Sequence, residues 1–167
     1  MKLLEEAGIY VFTEVSTRFN AINRIDPYNS YHGTAMTEFF QTVNIMAQYP
    51  NTLGLLAGVG LVNSKATEKA APVVKAVVRD LKRYMKLQNI ACGQRILPIG
   101  YTAATLDQLD TAVLDYVSLG DPASSIDFWT VSLALSLDVS TLTLSDSATA
   151  TCGQGNLTCM RLATKHW

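Results

Sequence analysis

The sequence predicts an α/β protein in which parallel strands alternate with helices. β-Branched and aromatic residues over 9–15 predict a strand, and residues 34–49 have the apolar spacing of an amphipathic helix. A buried strand within 52–64 follows, and a second amphipathic helix covers about residues 67–88. This alternation is typical of βα units. Because a closed barrel needs ~200 residues or more, we expect an incomplete (β/α)8 TIM-barrel-like domain, or a small open sheet.

The first residues read as the last turns of a helix that Gly8 stops before the strand. Glu5 and Glu6 lie where a secretory signal needs its apolar centre, so we expect no signal peptide. Residues 16–31 form a polar loop that contains Asp26 and Pro27. Pro72 fits the second helix only if it lies in the first turn.

The second half of the chain is less regular. Residues 95–101 predict a strand, 105–109 a short helix, and 112–117 either the rest of that helix or a strand. Residues 126–135 predict a further strand, and the Ser- and Thr-rich residues 136–150 read as a surface strand or a disordered tail. We therefore divide the chain into a partial barrel, 1–135, and a divergent tail, 136–167.

The composition excludes several classes of function. A net charge of −1 gives no reason to expect nucleic acid as a partner, and no apolar run is long enough for a membrane span. The three cysteines are an odd number; Cys152 and Cys159 either pair or remain free, and their spacing is poor for zinc. We expect no metal and no cofactor.

Two apparent motifs have ordinary explanations. Gly54, Gly58 and Gly60 lack the spacing of a dinucleotide fingerprint, and no acidic residue follows at the distance that holds a ribose. His32 and His166 have no nucleophilic partner in a recognisable motif, so no catalytic dyad is predicted.

Several residues have both a functional and a structural interpretation. Glu14 ends the first strand, where it is either an acid of the site or the ion-pair partner of Arg18 or Arg24. Tyr101 either contacts a ligand through its ring or packs in the core. Asp127 is expected to cap or turn the chain. The basic residues of the second long helix form a docking stripe or a solvated face, with the second favoured: Lys75, Arg79, Lys82, Arg83 and Lys86.

Several segments resemble, in order, the fungal β-1,3-glucanosyltransferases of glycoside hydrolase family 72. The similarity covers roughly residues 1–130. The matching segments are AGIYV at 7–11, INRIDP at 22–27, QYPNTLGLLAG at 48–58, VKAVVRDLKRYMK at 74–86, LPIGYTAA at 97–104 and SIDFW at 125–129.

The resemblance implies a (β/α)8 barrel outside the cell, usually lipid-anchored to the plasma membrane. It also implies cleavage of β-1,3-glucan and transfer of the new end to another glucan chain. This retaining mechanism needs an acid/base carboxyl and a nucleophilic carboxyl about 5 Å apart. We find no signal peptide or anchor signal in this sequence, so its localisation is left open; the glycosylation sequon at Asn156 is usable only after secretion.

The sequence departs from the family at the residues that perform the chemistry. Against the family's AGNEV motif, Val59 stands at the Asn position and Gly60 at the position of the acid/base Glu. No segment after Trp129 resembles the one that carries the nucleophile. The sugar-contacting Asn-x-Tyr is also absent, Leu119 and Leu137 replace family cysteines, and the first two barrel strands have no counterpart.

The sequence thus predicts a β-1,3-glucanosyltransferase relative with impaired catalysis and no identified catalytic residue. The alternatives are a non-catalytic β-1,3-glucan-binding remnant or a decayed fragment. Candidate sugar-contacting residues are Tyr101, Asn23, Tyr31 and Glu14. An incomplete barrel also exposes sheet edges, so we expect the chain to be marginally stable alone, to associate with itself through these edges, or to be a truncated gene product.

Overall fold

A computed structural model of the protein describes residues 1–104 and 108–131 and contains one sheet of four parallel strands. Each strand pairs with the next one along the chain. The strands are β1 (Val11–Glu14), β2 (Thr52–Val59), β3 (Ile99–Ala103) and β4 (Phe128–Val131). The predicted α/β class with parallel strands is therefore confirmed, and the strand order is that of consecutive βα units.

Helices lie between the strands along the chain, and one helix precedes β1. They are α1 (Lys2–Glu6), α2 (Pro27–Ser30), α3 (Gly33–Met46), a 3-10 helix (Lys65–Ala70), α4 (Ala71–Cys92) and α5 (Gln108–Ser118). Of these, α4 packs against β2, α3 and α5. Short α2 lies within the predicted loop. Residues 112–117, for which the sequence allowed a helix or a strand, belong to α5.

The ends of α1 and α4 follow the local chemistry of the sequence. Gly8 has a positive φ of 71° just after α1, and Gly93 ends α4 with φ 70°, a left-handed conformation that glycine adopts without a steric penalty. Pro72 lies in the first turn of α4, as expected, where its missing N–H leaves no helical hydrogen bond unmade.

The strand boundaries differ from the predictions: β1 covers Val11–Glu14 within the predicted 9–15, and β4 begins at Phe128 rather than at Ile126. β2 ends at Val59 because Gly60 turns out of the strand with φ 55°. β3 begins at Ile99 rather than at Arg95, because Arg95 is fixed by hydrogen bonds of its side chain and not by the backbone hydrogen bonds of a strand. Its guanidinium donates to the carbonyl of Tyr49 at 3.0 Å and to that of Thr52 at 2.7 Å.

The core lies between the sheet and its helices. It contains alternate residues of the strands, such as Leu55, Ala57 and Ile99, together with the inward faces of α3 and α4. On α4 these are Val74, Val77, Leu81 and Met85, all fully buried. This spacing is the helical periodicity that the sequence analysis used to predict the helix.

The opposite face of the sheet is packed by two phenylalanines. The rings of Phe12 on β1 and Phe128 on β4 lie 4.8 Å apart across two intervening strands. They meet because β2 and β3 carry Gly54 and Gly100 beneath them, where an added Cβ would crowd the Phe128 ring. The two glycines therefore allow the edge strands to make a side-chain contact over the middle of the sheet.

The basic residues of α4 are partly engaged in holding the helices and strands together. Lys75 Nζ donates to the carbonyls of Tyr116 and Leu119 at 2.8 and 2.7 Å, at the end of α5. Lys82 forms an ion pair of 2.6 Å with Asp127. These contacts favour a structural role for the stripe over the docking interpretation.

Asp127 has the structural role that the sequence predicted, in a more specific form. One carboxylate oxygen forms the ion pair with Lys82, and the other accepts a hydrogen bond from Ile99 N at 2.8 Å. Asp127 N in turn donates to Ile99 O at 2.7 Å. The residue therefore joins the starts of β3 and β4 to α4.

Within the part of the chain that the structure describes, no helix is long and apolar enough to cross a membrane. The predicted tail at 136–167 lies outside the described residues, and so do Leu137, Cys152, Cys159, Asn156 and His166. The domain boundary after residue 135 stays a prediction.

Candidate functional site

The four parallel strands point their carboxyl ends to one edge of the sheet, and an open cavity of about 520 Å³ lies there. Glu14 at the end of β1 forms one wall. Residues 16–18 and 21–24 of the following loop form most of the lining, and Val59 and Leu61 close the side next to β2. In βα proteins this edge is where loops carry binding and catalytic groups, so the cavity is the candidate site.

The loop that lines the cavity is fixed to α3 by one carboxylate. Glu38 accepts from Thr17 Oγ1 at 2.7 Å and from the side-chain amide of Asn20. The loop also binds itself, since Thr17 N donates to Asn20 O at 3.0 Å and Asn20 N donates to Thr17 Oγ1 at 3.1 Å. These hydrogen bonds therefore hold the turn that forms the cavity wall in one conformation.

Asn23 lines the cavity and turns the loop toward α2. Its Oδ1 accepts from Ile25 N at 2.9 Å, an Asx-type turn. Its backbone N–H donates to Ser30 Oγ at 2.9 Å. These contacts fix the residue while its side chain stays exposed at the cavity, as a sugar-contacting residue requires.

Glu14 lines the cavity without the ion pair that the sequence suggested. The two ion pairs within the described residues are Arg79–Asp80 and Lys82–Asp127, so the expected pair of Glu14 with Arg18 or Arg24 is not formed. Both arginines are exposed, and an exposed ion pair adds too little free energy to hold long side chains in one geometry.

The end of β2 presents no acid, base or nucleophile to the cavity. Val59 is partly exposed and lines the cavity, and Gly60 follows it with its N–H donating to Thr102 O at 2.8 Å. Beyond β3, Ala104 is the neighbour that a side chain at position 60 would touch. The groups that protrude here are aliphatic.

Comparison with known proteins identifies the family. Residues 1–154 match the profile of the glucanosyltransferases, glycoside hydrolase family 72. The chain is 40% identical over 125 residues to 1,3-beta-glucanosyltransferase GAS5 of Saccharomyces cerevisiae, which covers 75% of this chain and 25% of that protein. It is 36% identical over 129 residues to 1,3-beta-glucanosyltransferase gel1 of Aspergillus fumigatus, covering 77% of this chain and 28% of that protein. The chain belongs to the glucanosyltransferase family.

Solved structures of a family member share the fold. Saccharomyces cerevisiae Gas2p in complex with laminaritriose and laminaritetraose matches with a TM-score of 0.71 and 27% identity, over 79% of this chain and 29% of that one. A complex of the same protein with laminaripentaose matches equally well. The four-stranded sheet is thus part of an incomplete α/β barrel, as predicted, and the chain spans about a quarter of the length of the curated relatives.

In this glucanosyltransferase relative, Tyr31 lies against α4 rather than in the cavity lining. Its hydroxyl donates to the carboxylate of Asp80 and accepts from Arg79 Nη2 at 3.4 Å. Burial and the Asp80 carboxylate raise the pKa of Tyr31 to about 12. Burial opposes ionisation of Asp80, but the hydrogen bonds from Arg79 and Tyr31 outweigh it and lower the pKa of this carboxyl. The sugar-contact prediction for Tyr31 finds no support in this placement.

Tyr101 is a core residue, the structural one of its two predicted roles. Its side chain is 0% exposed, and its hydroxyl accepts from Val62 N at 3.1 Å. The ring therefore helps to hold the turn after β2. A stacking role for Tyr101 would require that burial to be undone.

His32 has a structural role as well. Its Nδ1 accepts from Ala35 N at 3.3 Å and so caps α3. In the described part of the chain, no three or more His, Cys, Asp or Glu side chains come together in a way that would hold a metal ion.

Sequence reasoning missed several of the residues that build the cavity. Ser16 and Thr17 were assigned only to a polar loop, Arg18 only to a possible ion pair with Glu14, and Glu38 only to a helix. The contact between Thr17 and Glu38 joins residues 21 positions apart in two different elements. No local pattern signals such a contact.

Proposed function

We propose that this chain presents a β-1,3-glucan-binding edge of the glucanosyltransferase fold and does not perform the retaining transfer by itself. The observation that carries the proposal is the end of β2, where Val59 and Gly60 occupy the positions that correspond, by resemblance, to the Asn and the acid/base Glu of the family motif.

The chemistry makes this substitution decisive. Retaining transfer needs one carboxyl as acid/base and a second as nucleophile, about 5 Å apart. General acid/base assistance alone contributes about 10²- to 10⁴-fold in rate, and glycine supplies none of it. Glu14 is the single carboxylate among the residues that line the described cavity. One carboxylate cannot fill both roles at once.

Glucan binding does not require the two catalytic carboxyl groups, and the cavity has the polar groups that binding requires. A glucan chain offers hydroxyl groups in many directions, and the lining supplies carboxylate, amide, hydroxyl and guanidinium groups from Glu14, Asn23, Ser16, Thr17, Arg18 and Arg24. Solved structures of Gas2p, a relative, hold laminari-oligosaccharides. These observations support β-1,3-glucan as the ligand.

The runner-up function is the family reaction itself, 1,3-β-glucanosyl transfer. The observation that favours it is Glu14, an acid on the cavity at the carboxyl end of β1 with no ion pair among the described residues. For this function a second carboxylate would have to face Glu14 across the cavity.

Two measurements on the same preparation separate these functions. Incubation with a reduced laminari-oligosaccharide followed by chromatography detects longer and shorter products, and calorimetric titration with laminaripentaose detects binding. We expect binding without new products. New products abolished by Glu14→Gln would establish the runner-up, and the absence of both signals would indicate a decayed fragment.

The residues assigned to binding have their own test. Asn23→Ala is expected to weaken the binding of laminaripentaose, because it removes the amide that faces the cavity. Asn89→Ala, at an exposed position near the end of α4, is the matched control and should leave the affinity unchanged. Equal affinities for the two variants would contradict the assignment of Asn23.

A further inference from the structure

The turn at the mouth of the cavity carries an exposed aromatic side chain that the proposed function has not used. Phe19 is 87% exposed, more than any other large hydrophobic side chain in the described part of the protein. Arg18, the residue before it, lines the cavity, and so does Ala21, two residues after it. Consecutive Cα atoms are about 3.8 Å apart, so the backbone of Phe19 lies at the cavity's edge.

The exposure of Phe19 is imposed by a fixed turn. Thr17 and Asn20, on either side of Phe19, bind each other through two hydrogen bonds of 3.0 and 3.1 Å. Both side chains are also anchored to the carboxylate of Glu38 on α3. The turn therefore holds the phenyl ring in water, where a large apolar side chain is unfavourable.

An apolar ring beside polar groups matches the two kinds of surface on a sugar. The flat face of a glucosyl ring consists of C–H groups, which pack on an aromatic ring, whereas its rim carries hydroxyl groups that need hydrogen-bond partners. The cavity next to Phe19 supplies such partners from Arg18, Thr17 and Asn23. A ligand without an apolar face would leave Phe19 uncovered.

We propose that Phe19 is a stacking platform for one glucosyl ring of a β-1,3-glucan chain bound in the cavity, and that Glu38 positions it. The inference rests on the proposed glucan binding and deepens it by naming a binding subsite. In this arrangement Glu38 acts through the turn at residues 17–20 and does not touch the sugar.

The test uses the full chain and calorimetric titration with laminaripentaose. Phe19→Ala is expected to weaken binding about tenfold, because the apolar contact area is lost. Phe19→Trp, which restores an aromatic face, should stay within about twofold of the unsubstituted chain. Leu3→Ala is the matched control: Leu3 is 80% exposed, lies on α1 away from the cavity lining, and should have no effect.

Two further readouts separate stacking from a general effect on the fold. Melting temperatures of the Phe19 variants should match that of the unsubstituted chain, since an exposed side chain contributes little to stability. Subtracting the emission spectrum of the unsubstituted chain from that of Phe19→Trp gives the emission of the introduced indole. This emission should shift to shorter wavelength on adding laminaripentaose, because the ring leaves water. Glu38→Gln should weaken binding by a smaller factor than Phe19→Ala, since the amide still accepts one hydrogen bond.

The outcomes distinguish this inference from the proposal beneath it. If the unsubstituted chain binds laminaripentaose and Phe19→Ala binds equally well, the platform is refuted and glucan binding stands. If the unsubstituted chain does not bind, both ideas fall. An emission difference that does not respond to the saccharide also overturns the platform.

Discussion

At position 60 the backbone itself opposes the return of a catalytic side chain. Gly60 has φ 55°, in the left-handed region where a residue with a Cβ is strained by about 1 to 2 kcal/mol. Space is available, because an added Cβ would lie 3.5 Å from Ala104 Cβ, an ordinary contact. The obstacle to a Glu here is therefore conformational rather than steric.

This leads to a prediction for the double variant Val59→Asn, Gly60→Glu. Its free energy of unfolding, from urea titration, should fall by about 1 to 2 kcal/mol. It should still form no longer products from a reduced laminari-oligosaccharide, because no segment after Trp129 resembles the one that carries the family's nucleophile. Gly60→Asn, which tolerates positive φ better, should lose less stability than Gly60→Ala. Transfer by the double variant would refute the carboxylate argument.

Tyr31 makes the protein sensitive to alkaline pH. Its pKa is raised from 10.0 to about 12, so between these values the unfolded chain ionises first and folding stability falls as pH rises. Below pH 10 the contribution is complete. We expect the tyrosinate absorbance titration to contain a late contribution that is missing in Tyr31→Phe.

The role of Asp80 in this effect can be separated from burial. Asp80→Asn removes the negative charge beside the hydroxyl, so the pKa of Tyr31 should move back toward its ordinary value. The loss of stability should still begin near pH 10 but should end at a lower pH than in the unsubstituted chain. If the late titration of Tyr31 is unchanged in Asp80→Asn, its raised pKa is due to burial alone.

At the scale of strands and helices, the sheet depends on glycines that make room for a ring. Gly100→Ala should lower the free energy of unfolding by about 1 to 3 kcal/mol, because its Cβ would overlap the Phe128 ring. Adding Phe128→Leu should recover part of the loss in the same urea titration. Gly33→Ala, whose Cβ meets nothing within 4 Å, is the control and should be neutral or slightly stabilising. An unchanged free energy of unfolding in Gly100→Ala would contradict the close packing of Gly100 against Phe128.

These elements also show what the sequence can and cannot predict. The helical spacing of Val74, Val77 and Leu81 reports burial on one face, so α4 was predictable. The contact of Phe12 with Phe128 depends on how four strands align, and no local pattern contains that information. Burial of Tyr101 and the Tyr31–Asp80 contact are likewise tertiary, so the sequence alone did not show that these two residues lie outside the cavity lining.

At the scale of the whole molecule, the sheet that the structure describes has an unpaired edge at β1. β1 is an outer strand of the described sheet and pairs on one side only, with β2. Just before it, Ile9 and Tyr10 are exposed hydrophobic residues. Unpaired N–H and C=O groups beside apolar side chains form a template for pairing with another chain.

We therefore expect concentration-dependent self-association of the chain through β1, measured by sedimentation velocity. Tyr10→Lys should weaken it, because a charge at a strand edge opposes pairing with a second copy, and the 66% exposure of Tyr10 lets the monomer accept the lysine. Tyr28→Lys is the matched control, since Tyr28 is 63% exposed but belongs to α2, and it should leave the association unchanged. A chain that stays monomeric at every concentration, or equal association of the two variants, would show that β1 is not the interface.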